Sequence, residues 1–171
     1  MRLIIWLAAG IGLIAVLVVA IGYSLPKAHT ATRTARVAAP PEAVYARLAD
    51  VDRYPSWRPG IKTLTRQPDH DGRPAWTEEV SGMKIPLYFE RMEPPSLLVA
   101  RIAGPSLPFG GTWTYRIAPA AGGSEVTITE DGEVYNPVFR FMSRFVFGYY
   151  ATLDEFVRNL EKAKRSDAVS G

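Results

Sequence analysis

The chain has no cysteine. That excludes disulfides, thiolate nucleophiles, cysteine-ligated metals and a lipid-modified N-terminal cysteine, and it leaves the compartment undetermined. Histidine is nearly as scarce, with two residues. His29 stands beside an apolar N-terminal run and His70 in a candidate hairpin turn. Neither is placed for a triad or a metal cluster, so no metal site and no cofactor are expected. P-loop and dinucleotide fingerprints are missing, and Gly110-Gly111 is too short to cradle a phosphate. An excess of one charge is also lacking: 20 Lys and Arg stand against 17 Asp and Glu, for a net charge of +3. Nucleic acid is excluded as a partner by the want of a concentrated basic stripe.

What is present begins with Leu3–Leu25, a run without a charged side chain. As a helix it would be about 35 Å long, enough to cross a ~30 Å hydrocarbon core. Trp6 and Tyr23 lie near its two ends, where amphipathic rings favour the interface; Pro26 stops the helix and Lys27 marks the return to water. A bilayer is therefore the expected partner of residues 3–25. A cleaved secretory signal is the alternative, with Ala20-Ile21-Gly22 and Gly22-Tyr23-Ser24 offering small-x-small sites. The run exceeds the roughly 7–15 residues of a signal core, which favours a retained single-pass anchor. Arg2 ahead of the helix and Lys27, Arg33 and Arg36 behind it pull its orientation in opposite directions. A very short basic tail before a long folded domain favours a signal anchor with an extracytoplasmic domain. The expected division is an anchor over 1–26, one soluble domain over 27–165 and a fraying tail over 166–171.

Within the domain, Thr30–Ala38 alternates as a first strand. Pro40-Pro41-Glu42 opens a short helix with proline in the first turn and an acid at the positive end. Asp50 to Trp57 reads as a second helical turn. Six further alternating runs follow: Ile61–Gln67, Ala75–Val80, Met83–Met92, Leu97–Ala103, Thr112–Ala118 and Glu125–Tyr135. Turn residues such as Asp71-Gly72, Ser81-Gly82 and Gly122-Gly123 separate them, which argues for an antiparallel meander. Asn136 caps, and Pro137 begins, one long helix whose stripe is Val138, Met142, Phe145, Tyr149, Leu153, Phe156 and Leu160. The fold class is α+β: a curved antiparallel sheet of about seven strands against a long C-terminal helix.

The element order joins several local stretches: Ala39-Pro40-Pro41-Glu42-Ala43-Val44-Tyr45, Ala49-Asp50-Val51-Asp52-Arg53-Tyr54-Pro55-Ser56-Trp57, Phe109-Gly110-Gly111-Thr112-Trp113-Thr114-Tyr115, Thr127-Ile128-Thr129-Glu130-Asp131-Gly132 and Asn136-Pro137. Together, over roughly Thr30 to Lys164, they resemble the START-like helix-grip superfamily (SRPBCC), in its polyketide cyclase/dehydrase-type branch. The resemblance implies a sheet wrapped around the last helix with an apolar cavity between them. It also implies a hydrophobic small molecule as the partner: members bind lipids, sterols or polyketides, and some catalyse cyclisation or dehydration.

Strand parity nominates the residues that would meet such a ligand. Trp113, Tyr115 and Ile117 share one strand face, and on the next strand Val126 and Ile128 carry Glu130 inward with them. Trp76, Glu78 and Val80 repeat the arrangement. Arg91, in phase with Ile85, Leu87 and Phe89, and Arg101, in phase with Leu97 and Val99, are the candidate basic partners. A Glu130/Glu78/Arg101 cluster would orient a polar head or act as acid and base, Glu130 and Glu78 being the catalytic candidates; ordinary salt bridges at strand ends are the alternative. The ligand-binding set is Trp57, Trp76, Arg101, Trp113, Tyr115, Glu130, Met142, Phe145 and Tyr149, with simple core packing as the rival use of its aromatics. In the first half of the last helix, Phe139, Phe141, Phe147 and Tyr150 widen the apolar arc. Loops such as Pro105–Gly111 are expected to cover that end; contact with lipid headgroups is the alternative.

Overall fold

The computed structural model describes residues 1–104, 106–148 and 150–167, with side chains as far as Ala163. Helix α1 spans Arg2–Ser24 and β1 spans Ala28–Val37. Two small helices follow, α2 (Pro41–Ala49) and α3 (Tyr54–Trp57), joined by a 3-10 turn over Val51–Arg53. The meander is β2 (Ile61–His70), β3 (Arg73–Val80), β4 (Met83–Glu93), β5 (Leu97–Ile102), β6 (Phe109–Ala120) and β7 (Gly123–Val134). Helices α4 (Pro137–Met142) and α5 (Ala151–Asp167) follow.

All neighbouring strands are antiparallel, in the order β1-β7-β6-β5-β4-β3-β2. Strands β2 to β6 thus each pair with their successor, while β1 closes on β7 and the two small helices carry the chain across to the far edge. The core lies on one face of the sheet. It holds Ala31, Ala35 and Val37 of β1, Val44 and Leu48 of α2, Leu98 and Ala100 of β5, and Val126 and Ile128 of β7. Helix α5 covers that face with Leu153, Phe156 and Leu160, spaced three and four apart and all buried. Each such side chain contributes about 1.5–3 kcal/mol on full burial.

The expected single C-terminal helix is broken. After α4 the chain widens into a π-type turn over Ser143–Phe147 and reaches Gly148 at φ 76, ψ 150, a conformation essentially restricted to glycine. The break re-aims the first half of the stripe. Leu153, Phe156 and Leu160 face the sheet, whereas Val138 and Phe145 are exposed. Asn136 caps α4 as its type predicts, its Oδ1 accepting from the amides of Val138 and Phe139.

Helix α1 is long and apolar enough to cross a membrane by length and composition. Its shaft stands free of the domain, but its last turn packs on α4. Gly22 is buried there, and a Cβ at that position would lie 2.0 Å from the Pro137 carbonyl oxygen. Arg140 of α4 is buried too; it donates to the carbonyls of Leu25 (3.0 Å) and Tyr135 (3.1 Å) with its guanidinium 6.0 Å from the Tyr23 ring centre. A cation on the last carbonyls of α1 also complements the negative end of that helix. Only Leu25, Pro26 and Lys27 separate α1 from β1, and the Lys27 carbonyl already accepts from the Val134 amide.

Candidate functional site

Two polar groups lie on the core-facing side of the sheet. The first is built on Glu78 of β3, a buried carboxylate. Arg58 grips it with both arms, Nη1 to Oε1 at 2.8 Å and Nη2 to Oε2 at 3.0 Å, while Trp76 Nε1 donates to Oε1 at 3.0 Å. Three donors on one carboxylate supply the hydrogen bonds that a buried acid would otherwise take from water. Local backbone turns hold Arg58 in place: its amide closes α3 on the Tyr54 carbonyl, and its carbonyl receives the Ile61 amide after Pro59-Gly60. The guanidinium also faces the rings of Tyr54 and Phe156, 4.9 and 5.4 Å from their centres.

Around this pair the aromatics interlock. Phe156 of α5 meets Trp57, Trp113 and Tyr115 at centroid distances of 5.5, 5.6 and 5.4 Å, and Tyr54 meets Trp57 at 5.4 Å. Trp76 packs on Phe89 at 4.8 Å. Burial pushes the Tyr54 and Tyr115 phenols above their ordinary range, Glu78 adds to the shift, and the Arg58 charge partly offsets it. For Arg58, burial works against the charge, but Glu78 and the two phenols outweigh it and the net direction is upward.

The second group centres on Glu130 of β7. It pairs across the ladders with Ala31 of β1 and Trp113 of β6, so it faces the core. Its Oε1 is 3.8 Å from His29 Nε2, and its buried Oε2 has no hydrogen-bond partner. His29 shares the core-facing parity of Ala31 and lies over Gly132, where a Cβ would come 2.3 Å from the imidazole Cε1. Glycine at 132 therefore makes room for the ring. Tyr45 Oη and Trp57 Nε1 are likewise buried without hydrogen-bond partners.

Of the residues nominated by sequence, Trp57, Trp76, Trp113, Tyr115 and Glu78 come together, and Glu130 joins them through Trp113. The Glu130/Glu78/Arg101 cluster does not form. Arg101 pairs in register with Tyr88 and Thr112 on the opposite face from Leu98 and Ala100, and it is bidentate to Glu90 at 2.9 and 3.1 Å. Arg91 is turned outward because a bulge between Phe89 and Arg91 shifts the register, and it pairs with Glu93 at 2.6 Å. Met142 is half-buried in α4; Phe145 is exposed and stacks on Phe141 at 5.0 Å; Tyr149 lies outside the described residues. Arg58 and His29 were missed. A buried Glu78 called for a cation, and the only signal for Arg58 was its place just before Pro59-Gly60. Among the described residues no three His, Asp or Glu side chains converge as metal ligands would.

The sequence profile of a family described as "Polyketide cyclase / dehydrase and lipid transport" matches residues 28–165. The chain belongs to that family. Solved structures agree on the fold. The di-domain ARO/CYC protein StfQ of the steffimycin biosynthetic pathway has a TM-score of 0.65 at 14% identity, over 82% of this chain and 52% of StfQ. This polyketide cyclase/dehydrase-type chain thus spans about half of that protein. A START superfamily protein from Mycobacterium smegmatis has a TM-score of 0.61 at 21% identity, over 79% of this chain and 96% of the other. Norcoclaurine synthase from Thalictrum flavum has a TM-score of 0.62 at 12% identity, over 80% and 86%. At such identities the likeness speaks for the helix-grip fold alone. No curated protein sequence matches the chain significantly.

Proposed function

We propose that this polyketide cyclase/dehydrase-type domain is a membrane-anchored binding module for a hydrophobic or lipid-like small molecule held between the sheet and α5. The observation that carries the reading is the set of buried polar atoms without protein partners on the core-facing side: Glu130 Oε2, Tyr45 Oη and Trp57 Nε1. A buried polar atom left unpaired costs about 1–3 kcal/mol. Two of these belong to or pair with the aromatic cluster, Trp57 within it and Glu130 across from Trp113, which suits a ligand that brings its own polar groups. Apolar rings would take the body of that ligand, and the family's description names both lipid transport and cyclase chemistry. Helix α1 supplies the anchor in this reading, with the domain outside the cytoplasm. Native mass spectrometry of protein purified without added ligand tests it. A hydrophobic molecule should co-purify; a ligand-free protein with a solidly packed interior refutes the proposal.

The Glu130–His29 contact supports a second reading, a cyclase or dehydratase in which Glu130 exchanges a proton with the substrate and His29 sits beside it as proton partner. Glu78 suits that role less well, since three donors already occupy it. Glu130→Gln should then abolish turnover without lowering the melting temperature appreciably.

A further inference from the structure

Exposed large apolar side chains are confined to two places among the described residues: α1, with the Met1 before it, and the segment Tyr135–Tyr150. The outer face of the sheet, α2, α3 and α5 carry none of them. Phe145 and Phe147 are 60% and 64% exposed, with Val138, Phe139, Val146 and Tyr150 around them. Among the described residues of the loop before β6, the Pro108 carbonyl meets the base of this segment, accepting from the amides of Tyr135 and Asn136. The rings of Phe145 and Phe147 stay exposed beyond it. Monomeric proteins rarely keep an apolar patch of that kind in water.

We propose that Pro137–Phe147 is a second membrane contact, seated in the headgroup–acyl boundary beside the end of α1. The inference rests on the reading of α1 as an anchor. Position decides the occupant: the last turn of α1 packs on α4 through Gly22 against Pro137, and Arg140 is bonded to the Leu25 carbonyl. Those contacts hold the patch at the level where a spanning α1 leaves the hydrocarbon. Arg144 and Lys27 are exposed at that level, in reach of lipid phosphates, while the rings enter the interface. Gly148 ends the segment, so α5 leaves the interface and turns back over the sheet.

A chain without cysteine accepts one label at a time. Nitroxides at Val16→Cys, Phe147→Cys and Thr65→Cys, in the full chain reconstituted into phosphatidylcholine–phosphatidylglycerol vesicles, report depth by oxygen against nickel-chelate accessibility. Position 16 should be deep, 65 aqueous, and 147 roughly 5–10 Å below the headgroup surface. A deep position 16 with an aqueous 147 overturns the second contact and leaves the anchor standing. An aqueous position 16 overturns the anchor, and the contact falls with it. A label at 147 shielded from both reagents, with dipolar broadening that dilution by unlabelled protein removes, means that a second copy covers the patch, which also refutes the proposal.

Discussion

Removing Arg58 tests whether the Glu78 site is a buried ion pair or a rim contact. In Arg58→Met the carboxylate keeps only Trp76 as a donor while its side chain stays 5% exposed. Stripping one partner from a buried pair costs about 3–5 kcal/mol. Arg58 is itself 21% exposed, which admits some water and places the loss near the lower limit, about 3 kcal/mol. For a chain of this size that corresponds to a fall of roughly 6–12 °C in melting temperature. The assay is denaturant and thermal unfolding of the full chain in mild detergent, followed by far-UV circular dichroism. The double variant Arg58→Met/Glu78→Gln is the decisive control, since it removes the stranded charge yet keeps an acceptor for Trp76. It should regain at least ~1 kcal/mol. A single-variant loss below ~1 kcal/mol would be that of an exposed pair. That result, or a double variant no more stable than the single, would refute the reasoning.

Glu130→Gln should change stability by under ~1 kcal/mol, because Oε2 has no hydrogen bond to lose; ligand retention by native mass spectrometry should fall instead. Gly148→Ala places a side chain in a glycine-only conformation and should cost about 1–3 kcal/mol in the same unfolding assay. Gly22→Ala drives a methyl into the Pro137 carbonyl, so the distance distribution between spin labels at Val19→Cys and Phe139→Cys should broaden while the melt of the domain is kept. Burial raises the Tyr54 and Tyr115 phenols, so above pH ~10 the folded chain holds protons that the unfolded chain has lost. Their stabilisation is intact below that pH and is lost as pH rises further. In ultraviolet titration at least two of the eight tyrosines should stay silent until unfolding.

The strands were legible because alternation and turn residues speak locally: all seven runs became strands. Site parity was legible only where one face is apolar. On β6 and β7 that held, and Trp113, Tyr115 and Glu130 face inward as read. On β5 Leu97, Leu98 and Val99 make both faces apolar, so the phase of Arg101 had no anchor, and Leu98 and Ala100 turned out to face the core. On β4 one bulge residue reversed Arg91. Arg58 comes from a turn, where periodicity gives no information, and the nearness of His29 to α1 along the chain says nothing of its place opposite Gly132. Gly148 read as one more helical position because a positive φ leaves no trace in an otherwise regular stripe.

The junction between α1 and β1 has an electrostatic consequence. Three residues reach about 10 Å at most, close to one Debye length in physiological salt. With α1 in a bilayer, Lys27 and Arg144 therefore feel the surface potential of an anionic leaflet, at about 1 kcal/mol per cation near the surface. Charges on the far edge strand, such as Lys62 and Arg66 of β2, are screened from it. Lipid composition should thus act on one end of this nearly balanced molecule, and exchanging anionic for neutral lipid would tilt the domain without altering a contact inside it.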